Sequence, residues 1–268
     1  MLTELNAHLA LARPGTLIDV GAHIGAFTVP FAKLDNVNVI SFEPIPDVAQ
    51  KLQARLTREL GESTNHVAVF PVAIGDLPGR TTLTIPCVDG NPVLEWASVA
   101  KDFDAIRAAS PDHLTEPLKV EVDIWTIDSL NLHDVTSMKI DAEGAELNVI
   151  RGARETIARC KPFITLELEE RHSAGSTWSV PAFLDALGYD GFFAYQDTVY
   201  PLSALIRPLM HRGFESPAIR EYSDPYIFEF YFIPRREYLM RKTFVELASG
   251  GFRPQVDASQ LSGKMIVR

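Results

Sequence analysis

The stretch from Thr16 to Thr28, TLIDVGAHIGAFT, places the strongest constraint on how this chain can fold. Its first half is an apolar run broken only by Asp19, which is typical of a buried parallel strand. Gly21 and Gly25 then frame a tight turn, because glycine tolerates positive φ and lets a ligand approach the backbone closely. A helix is expected to follow and to direct its free N–H groups at the turn. The stretch therefore predicts a strand–turn–helix unit that binds a nucleotide-type cofactor.

The residues of the turn favour S-adenosylmethionine over a dinucleotide. A dinucleotide fingerprint reads G-x-G-x-x-G, whereas residues 21–25 read GAHIG and lack the middle glycine. That glycine lets the backbone meet a pyrophosphate. The Asp19 carboxylate, just before the turn, would repel a diphosphate but would suit the ammonium group of S-adenosylmethionine. Ala22 and His23 are expected to line the cofactor together with the two glycines, and an NAD-dependent oxidoreductase is the alternative.

Two further segments extend the predicted cofactor site. NVNVISFEP predicts a second strand that ends at Glu43, and 43 − 21 = 22 places this acid close to the ~20-residue offset of a ribose-binding carboxylate. Such an acid fits either cofactor. HVAVFPVAIGD, residues 66–76, predicts a third strand that closes in a glycine turn, near the base of the cofactor in a doubly wound sheet. Ala73, Ile74 and Asp76 are therefore candidates to contact adenine, and a plain turn residue is the alternative for Asp76.

Strands and helices alternate along the rest of the chain. The spacing of apolar residues predicts a helix over Pro46–Leu60. Further strands are expected at 81–86, 119–130, 138–140, 162–172, 191–196 and 226–234. This alternation predicts one α/β domain over residues 1–268 with a mainly parallel sheet. Its expected accessory parts are an N-terminal helix in 1–14, an insertion or lid at 87–118 and a C-terminal extension at 235–268.

Composition narrows the class of partner. The 268 residues are 46% hydrophobic and 22% charged, as in ordinary globular proteins. The net charge of −10 disfavours a polyanionic nucleic acid, and no apolar run approaches the ~18 residues of a membrane span. The first residues lack the basic head and apolar core of a signal peptide, and two cysteines are too few for a disulfide framework. We therefore expect a cytoplasmic protein that binds neither nucleic acid nor membrane, with its oligomeric state open and a homodimer included.

Acidic residues cluster where two successive strands are expected to end, at the edge of the sheet where ligands collect. Asp141 and Glu143 follow the first of these strands, and Glu169 and His172 lie at the end of the next, where Glu167 and Glu169 are expected to share a face. Neighbouring carboxylates raise each other's pKa or hold a divalent metal such as Mg²⁺. Histidine titrates near neutrality. These residues are the candidates for acceptor-side catalysis, with a helix N-terminus as the alternative role for Glu143 and a solvated loop for His172.

Six short segments carry a family resemblance: IDVGAHIG, SFEP, VAIGD, MKIDAEGAE and KPFITLELE, in this order over residues 16–172, and the later YIFEFYFIP. Together they resemble the FkbM family of S-adenosylmethionine-dependent methyltransferases, although His23 stands where that family usually carries Asn. The resemblance implies a Rossmann-like sheet of seven strands, mainly parallel with an antiparallel closing strand and helices on both faces. It also implies O-methylation of a hydroxyl on a sugar, polyketide or similar natural-product scaffold, with cofactor roles for Asp19, Gly21, Gly25 and Glu43. A family member that binds cofactor without catalysis is the remaining alternative.

Overall fold

Helices and strands alternate through the residues that the computed structural model describes, which are 2–61, 64, 66–109, 114–195, 198–205 and 227–249. The α-helices are α1 (Glu4–Leu11), α2 (Thr28–Phe31), α3 (Pro46–Leu60), α4 (Phe103–Ala109), α5 (Glu146–Arg151), α6 (Arg154–Cys160), α7 (Ser176–Ala186) and α8 (Tyr238–Ala248). The strands are β1 (Gly15–Val20), β2 (Val37–Phe42), β3 (Val67–Phe70), β4 (Ala73–Ile74), β5 (Gly79–Val88), β6 (Asn91–Pro92), β7 (Leu114–Trp125), β8 (Val135–Ile140), β9 (Phe163–Glu167), β10 (Tyr189–Tyr195), β11 (Thr198–Pro201) and β12 (Glu229–Pro234). Within these ranges we find no helix whose length and apolar content would allow it to cross a membrane.

Eight strands form the main sheet, in the order β11-β10-β12-β9-β8-β1-β2-β3. The five strands from β9 to β3 are parallel neighbours, and β12 runs antiparallel to both β9 and β10. The sheet has one strand more than the seven expected, because β11 adds an antiparallel edge beside β10. The strand order reverses at β1, which lies between β2 and β8. In open α/β sheets this is the position where ligands bind.

Apolar cores cover both faces of β1. Ile18 and Val20 belong to a core that includes residues of α5, α6 and α7, whereas Leu17 belongs to a core built with α1 and α3. Every residue of β1 after the first is buried, as a continuous apolar run predicts for a strand covered on both sides. The α/β fold with a mainly parallel sheet and helices on both faces is thus confirmed.

The N-terminal helix α1 packs on the sheet through polar as well as apolar contacts. The ring of the buried His8 lies between two strands, with Nδ1 2.6 Å from Ser137 Oγ on β8 and Nε2 2.7 Å from Thr165 Oγ1 on β9. Thr165 Oγ1 also donates to the Glu4 carboxylate. Burial lowers the pKa of His8 to about 3 and raises that of Glu4 to about 8. The helix is therefore fixed to the sheet by a buried hydrogen-bonded cluster.

The third strand of the sequence prediction is divided between two sheets. The part before Pro71 is β3 of the main sheet, whereas the part after Val72 is β4 of a second sheet with the order β4-β7-β5-β6. Proline cannot donate a ladder hydrogen bond, which favours a break at this point. The strands expected at 81–86 and 119–130 also belong to the second sheet, as β5 and β7. The sequence predicts these strands but not their separation from the main sheet.

The segment expected as an insertion at 87–118 starts and ends inside the second sheet. β5 continues to Val88 and β7 begins at Leu114, so strand pairing enters the segment from both sides. Its middle contains β6, a 3-10 turn at Leu94–Trp96 and α4. Helix α1 lies within the segment 1–14 and helix α8 within the segment 235–268, of which residues 250–268 lie outside the described residues.

Several element boundaries differ from the sequence prediction, among them those of the helix after the glycine turn, of β9 and of β12. The helix after the glycine turn is only the four residues of α2, because His23 and Gly25 have positive φ values of 46° and 87° that an α-helix does not accommodate. β9 ends at Glu167, and a turn closed by the His172 N–H on the Glu169 carbonyl (3.0 Å) follows it. β12 begins at Glu229, later than the expected start of the last strand, whose first residue lies outside the described part.

Candidate active site

The glycine turn fits closely between the ends of β2 and β8. The backbone N–H groups of Gly21 and Ala22 both donate to the Phe42 carbonyl, at 2.9 and 3.0 Å. Gly21 has a φ of 76°, and a Cβ there would lie 2.0 Å from the carbonyl oxygen of Asp141. A Cβ on Gly25 would lie 2.4 Å from a methyl carbon of α3. Both glycines are therefore required by backbone conformation and by space, as the sequence indicates.

Asp19 is fully buried at the end of β1. Thr28 Oγ1 donates to its Oδ2 at 2.7 Å, whereas its Oδ1 accepts no hydrogen bond from any described residue. Lys139 forms a salt bridge with this oxygen, with its Nζ 3.9 Å from Oδ1. Burial raises the pKa of Asp19, and Lys139 and the Thr28 hydroxyl partly offset the rise. A buried carboxylate oxygen that lacks a donor is an exception in folded proteins and is suited to a cationic ligand group.

Glu43, at the end of β2, holds the other side of the turn. Its Oε2 accepts the backbone N–H of His23 and its Oε1 accepts that of Ile45, both at 2.9 Å. Burial raises the pKa of Glu43 to about 6 even though both N–H groups favour the charged form. Each carboxylate oxygen keeps a second lone pair, so further donors such as ribose hydroxyls could still bind.

Lys139 joins the residues of the cofactor side. Its Nζ lies 3.3 Å from both Asp141 Oδ2 and the Gly21 carbonyl, and 5.2 Å from the centre of the Phe27 ring. The ion pair with Asp141 is the one that two-residue spacing on a strand predicts. Burial alone would lower the pKa of Lys139, but Asp141, Asp19 and more distant carboxylates raise it above its ordinary value. The lysine thus stays charged and neutralises the acids around the turn.

The acceptor side is formed by the turns after β8 and β9. Glu143 Oε2 lies 3.5 Å from Nδ1 of His172, and Nε2 of the same ring lies 3.8 Å from Glu169 Oε1. Glu143 takes a left-handed φ of 51°, and a Cβ on Gly144 would lie only 2.8 Å from the His172 carbonyl. Glu146 Oε1 accepts the Gly144 N–H at 2.9 Å, so this acid shapes the turn. The structure therefore brings three of the four predicted catalytic residues together around one imidazole.

Burial brings the pKa of Glu143 close to neutrality. Burial raises the pKa of Glu143 to about 7, against the lowering effect of Lys101, and the Asp141 carboxylate adds to the rise. Glu169 is buried and its carboxylate binds the Arg171 guanidinium. Asp141, the fourth predicted catalytic residue, lies between the two groups: it forms an ion pair with Lys139, and its charge also acts on Glu143.

The expectation for Glu167 and Glu169 is met in part. β9 ends at Glu167, so Glu169 lies in the turn that follows and not on the strand, but the side chains of the two acids still interact. Glu169 is buried by the turn that follows, and Glu170 accepts the N–H groups of Gly175 (2.7 Å) and Thr177 (3.1 Å) at the start of α7. Among these glutamates, Glu169 contacts His172, and Glu170 stabilises the start of a helix.

Lys101 and Ser98 are site residues that sequence reasoning missed. Lys101 forms an ion pair with Glu143, and Ser98 Oγ donates to the Glu143 carbonyl at 2.7 Å. Both residues lie in the irregular part of the inserted segment, where no periodicity or motif marks them. No signal in the sequence alone could have assigned them to a turn more than 40 residues away.

The three adenine candidates have different surroundings. Ala73 is buried in a core that includes Ile45, two residues after Glu43, whereas Ile74 faces the larger core of the main sheet. Asp76 is exposed, and its Cα would lie 3.2 Å from a Cβ on Gly152 at the end of α5. Contact of these residues with adenine stays a prediction.

The expected magnesium site finds no support. Among the described residues no group of three or more His, Cys, Asp or Glu side chains is arranged to hold a metal ion. The carboxylates of Asp141 and Glu143 are instead paired with Lys139 and Lys101. An ammonium group beside each carboxylate supplies the neutralisation that a cation would bring.

Comparisons with known proteins bear on this site. The family model of the methyltransferase FkbM domain matches residues 19–193. The 2-O-methyltransferase NoeI of Sinorhizobium fredii is 27% identical over 183 residues, which are 64% of this chain and 70% of that protein. The AMB antimetabolite synthetase AmbE of Pseudomonas aeruginosa is 24% identical over 210 residues, which span 69% of this chain but only 10% of the synthetase.

A solved structure of the methyltransferase FkbM from Methylobacillus flagellatus is also similar. It is 18% identical, with a TM-score of 0.49, over 83% of this chain and 45% of that one. The family model covers well over half of the chain, from Asp19 in β1 to Phe193 in β10. It therefore includes the residues of both the cofactor side and the acceptor side. The chain therefore belongs to the FkbM methyltransferase family.

Proposed function

We propose that the chain is an S-adenosylmethionine-dependent O-methyltransferase that acts on a hydroxyl group of a small molecule. The observation that carries the proposal is the buried Oδ1 of Asp19, which accepts no hydrogen bond from a described residue beside a turn that only glycine can form. This acceptor fits the ammonium group of S-adenosylmethionine. The site residues therefore fit the cofactor, with Asp19 and the turn on its methionine end and Glu43 on its ribose.

The acceptor side supports methyl transfer to oxygen. When bound, S-adenosylmethionine supplies a methyl group made electrophilic by the sulfonium. Glu143 and His172, 3.5 Å apart, would accept the proton that the acceptor hydroxyl loses. A base works best when its pKa is close to the operating pH, and the pKa of Glu143 is raised to about 7. Because the two groups are in contact, a proton on one affects proton binding by the other.

The class of acceptor is proposed from charge and from relatives. NoeI is named as a 2-O-methyltransferase and AmbE as an antimetabolite synthetase, which supports a hydroxyl on a sugar or on another natural-product scaffold. The net charge of −10 argues against a nucleic acid acceptor. We retain no second function, because the buried Asp19 would repel the diphosphate of NAD and because the contact between Glu143 and His172 supports catalysis rather than cofactor binding alone.

Calorimetric titration with S-adenosylhomocysteine and, separately, with NAD tests the cofactor. We expect micromolar binding of S-adenosylhomocysteine and none of NAD. Incubation with S-adenosylmethionine carrying a ¹³C-methyl group and a panel of sugars and hydroxylated polyketides then tests the reaction, with the product read by mass spectrometry. Binding of NAD alone would overturn the proposal, and cofactor binding without transfer to any hydroxyl would favour a non-catalytic family member.

A further inference from the structure

The segment Ser98–Lys101 lies directly on the acceptor-side turn. Ser98 Oγ donates to the Glu143 carbonyl at 2.7 Å and accepts the backbone N–H groups of Ala100 (3.0 Å) and Lys101 (3.1 Å). The backbone of Ser98 also exchanges two hydrogen bonds of 3.0 Å with Thr84 of β5. One serine therefore ties the second sheet, the inserted segment and the turn after β8 to one another.

Lys101 reaches the acceptor side from this segment. Its side chain is only 6% exposed, and its Nζ contacts Oε2 of Glu143. The same oxygen lies 3.5 Å from Nδ1 of His172. Oε2 of Glu143 is thus in contact with both the Lys101 ammonium group and the His172 imidazole.

The surroundings of Glu143 are otherwise acidic. The titratable groups that face Glu143 and His172 are Lys101, Asp141, Glu167 and Glu169. Three of these four groups are carboxylates, which disfavour the charged form of Glu143, and Lys101 alone favours it. Without the lysine, the carboxylate would lose this ion pair and would keep, among its charged partners in the described residues, only the His172 imidazole at 3.5 Å.

We propose that Lys101 is a positioning residue, and that the segment Ser98–Lys101 completes the acceptor side by holding Glu143 against His172. The inference rests on the proposed function only for the role of the Glu143–His172 pair. An ion pair on the surface would carry no such role, because exposed pairs contribute little. The pair formed by Lys119 and Asp104 is of that kind, at 3.8 Å with both side chains more than half exposed.

Three variants distinguish a positioning role of Lys101 from the weak effect of an exposed ion pair. They are Lys101→Met, Ser98→Ala and the control Lys119→Met. The titration is followed at the His172 ring by NMR, with the signal assigned from a His172→Gln variant. Loss of the neighbouring positive charge favours binding of a proton by Glu143 and His172, whichever of them carries it. We therefore expect Lys101→Met to move the midpoint of the His172 titration to higher pH by about one unit. The Lys119→Met protein should titrate as the wild type does.

Ser98→Ala tests the attachment itself and keeps the proposal testable if Lys101→Met does not fold. We expect the amides of Ala100 and Lys101 to exchange hydrogen about tenfold faster than in the wild type, and the His172 midpoint to move in the same direction as in Lys101→Met. Identical titrations of the Lys101→Met and Lys119→Met proteins would overturn the proposal, as would unchanged amide exchange together with an unchanged midpoint in Ser98→Ala.

Cofactor binding separates this test from that of the function. S-adenosylhomocysteine should bind the Lys101→Met protein within about threefold of the wild type, because the lysine contacts the acceptor side alone. If the wild type binds no S-adenosylhomocysteine, the proposed function fails. The NMR comparison would still decide whether Lys101 holds the Glu143–His172 pair.

Discussion

The variant Glu43→Gln tests the cofactor side because it keeps the size of the side chain and removes its charge. Burial raises the pKa of Glu43 from an ordinary value of 4.5 to about 6, although the backbone N–H groups of His23 and Ile45 donate to the carboxylate. A shift of about 1.5 units corresponds to ~2 kcal/mol. The folded protein thus carries an ionised, buried acid that lowers its own stability at neutral pH.

The sign of the effect follows from proton linkage. A carboxyl group with a raised pKa in the folded state binds its proton more tightly there, so the stability that it contributes is complete below pH 4.5 and is lost as the pH rises through 6. Glutamine resembles the protonated acid at every pH and shows no such loss. Relative to the wild type, the Glu43→Gln protein should gain about 2 kcal/mol in free energy of unfolding between about pH 4 and about pH 7.5.

The assay is urea unfolding of both proteins at the two pH values. Any constant cost of turning the glutamine amide toward a backbone N–H cancels in the difference. The exposed Glu155, changed to Gln, is the control and should show no comparable gain. At pH 7.5 the Glu43→Gln protein should also bind S-adenosylhomocysteine more weakly by ~1.5–3 kcal/mol, the contribution of a hydrogen bond to a charged group.

Two results would refute this reasoning. A stability difference that is the same at both pH values would show that Glu43 does not titrate as a buried acid. Unchanged affinity for S-adenosylhomocysteine would remove Glu43 from the ribose site. Greater stability with weaker binding, the expected outcome, would mean that this acid is kept for function at a cost in stability.

Three further predictions address the turn, the proton acceptor and the buried acid. Gly21→Ala should lower the free energy of unfolding by more than about 3 kcal/mol in urea unfolding, because strain at positive φ adds to a clash with backbone; Gly79→Ala, which meets open space, is the matched control. His172→Gln should slow methyl transfer by about 100-fold or more while calorimetry finds the affinity for S-adenosylhomocysteine within a few-fold, and loss of that affinity would contradict its place on the acceptor side. Thr28→Val removes the hydroxyl that donates to Asp19 at 2.7 Å and should cost about 1–3 kcal/mol in urea unfolding; equal stability would show that the hydroxyl is dispensable.

The cofactor side could be predicted from sequence because its signals are local. Asp19, Gly21 and Glu43 lie at the ends of β1 and β2 and Gly25 lies in the turn after β1, and the structure shows the two glycines at positive φ and the two acids buried. The mainly parallel sheet follows in the same way from the alternation of apolar runs and helices, whereas the order of its strands does not. These features depend on neighbours within a few residues or on one repeated unit of strand and helix.

The acceptor side could be predicted only in part, because it depends on contacts between distant segments. Glu143 and His172 follow from strand ends, but Lys101 reaches Glu143 across 42 positions from a segment with no periodic pattern. The segment that contains β3 and β4 looks like one uninterrupted strand in the sequence. In the structure it breaks at Pro71, and β4 belongs to the second sheet. Burial of Glu169 likewise arises from a turn after β9 and not from strand alternation.

The polar cluster between α1 and the sheet limits how α1 can be exchanged between this chain and a related one. A helix held by apolar contacts alone could shift along the sheet. His8 prevents this because it hydrogen-bonds to Ser137 on β8 and to Thr165 on β9. Both residues lie more than 120 positions after His8 in the sequence. A chimera that exchanged α1 alone would leave these buried hydroxyls without partners and would cost several hydrogen bonds at once. In a chimera, α1 should therefore be transplanted together with β8 and β9.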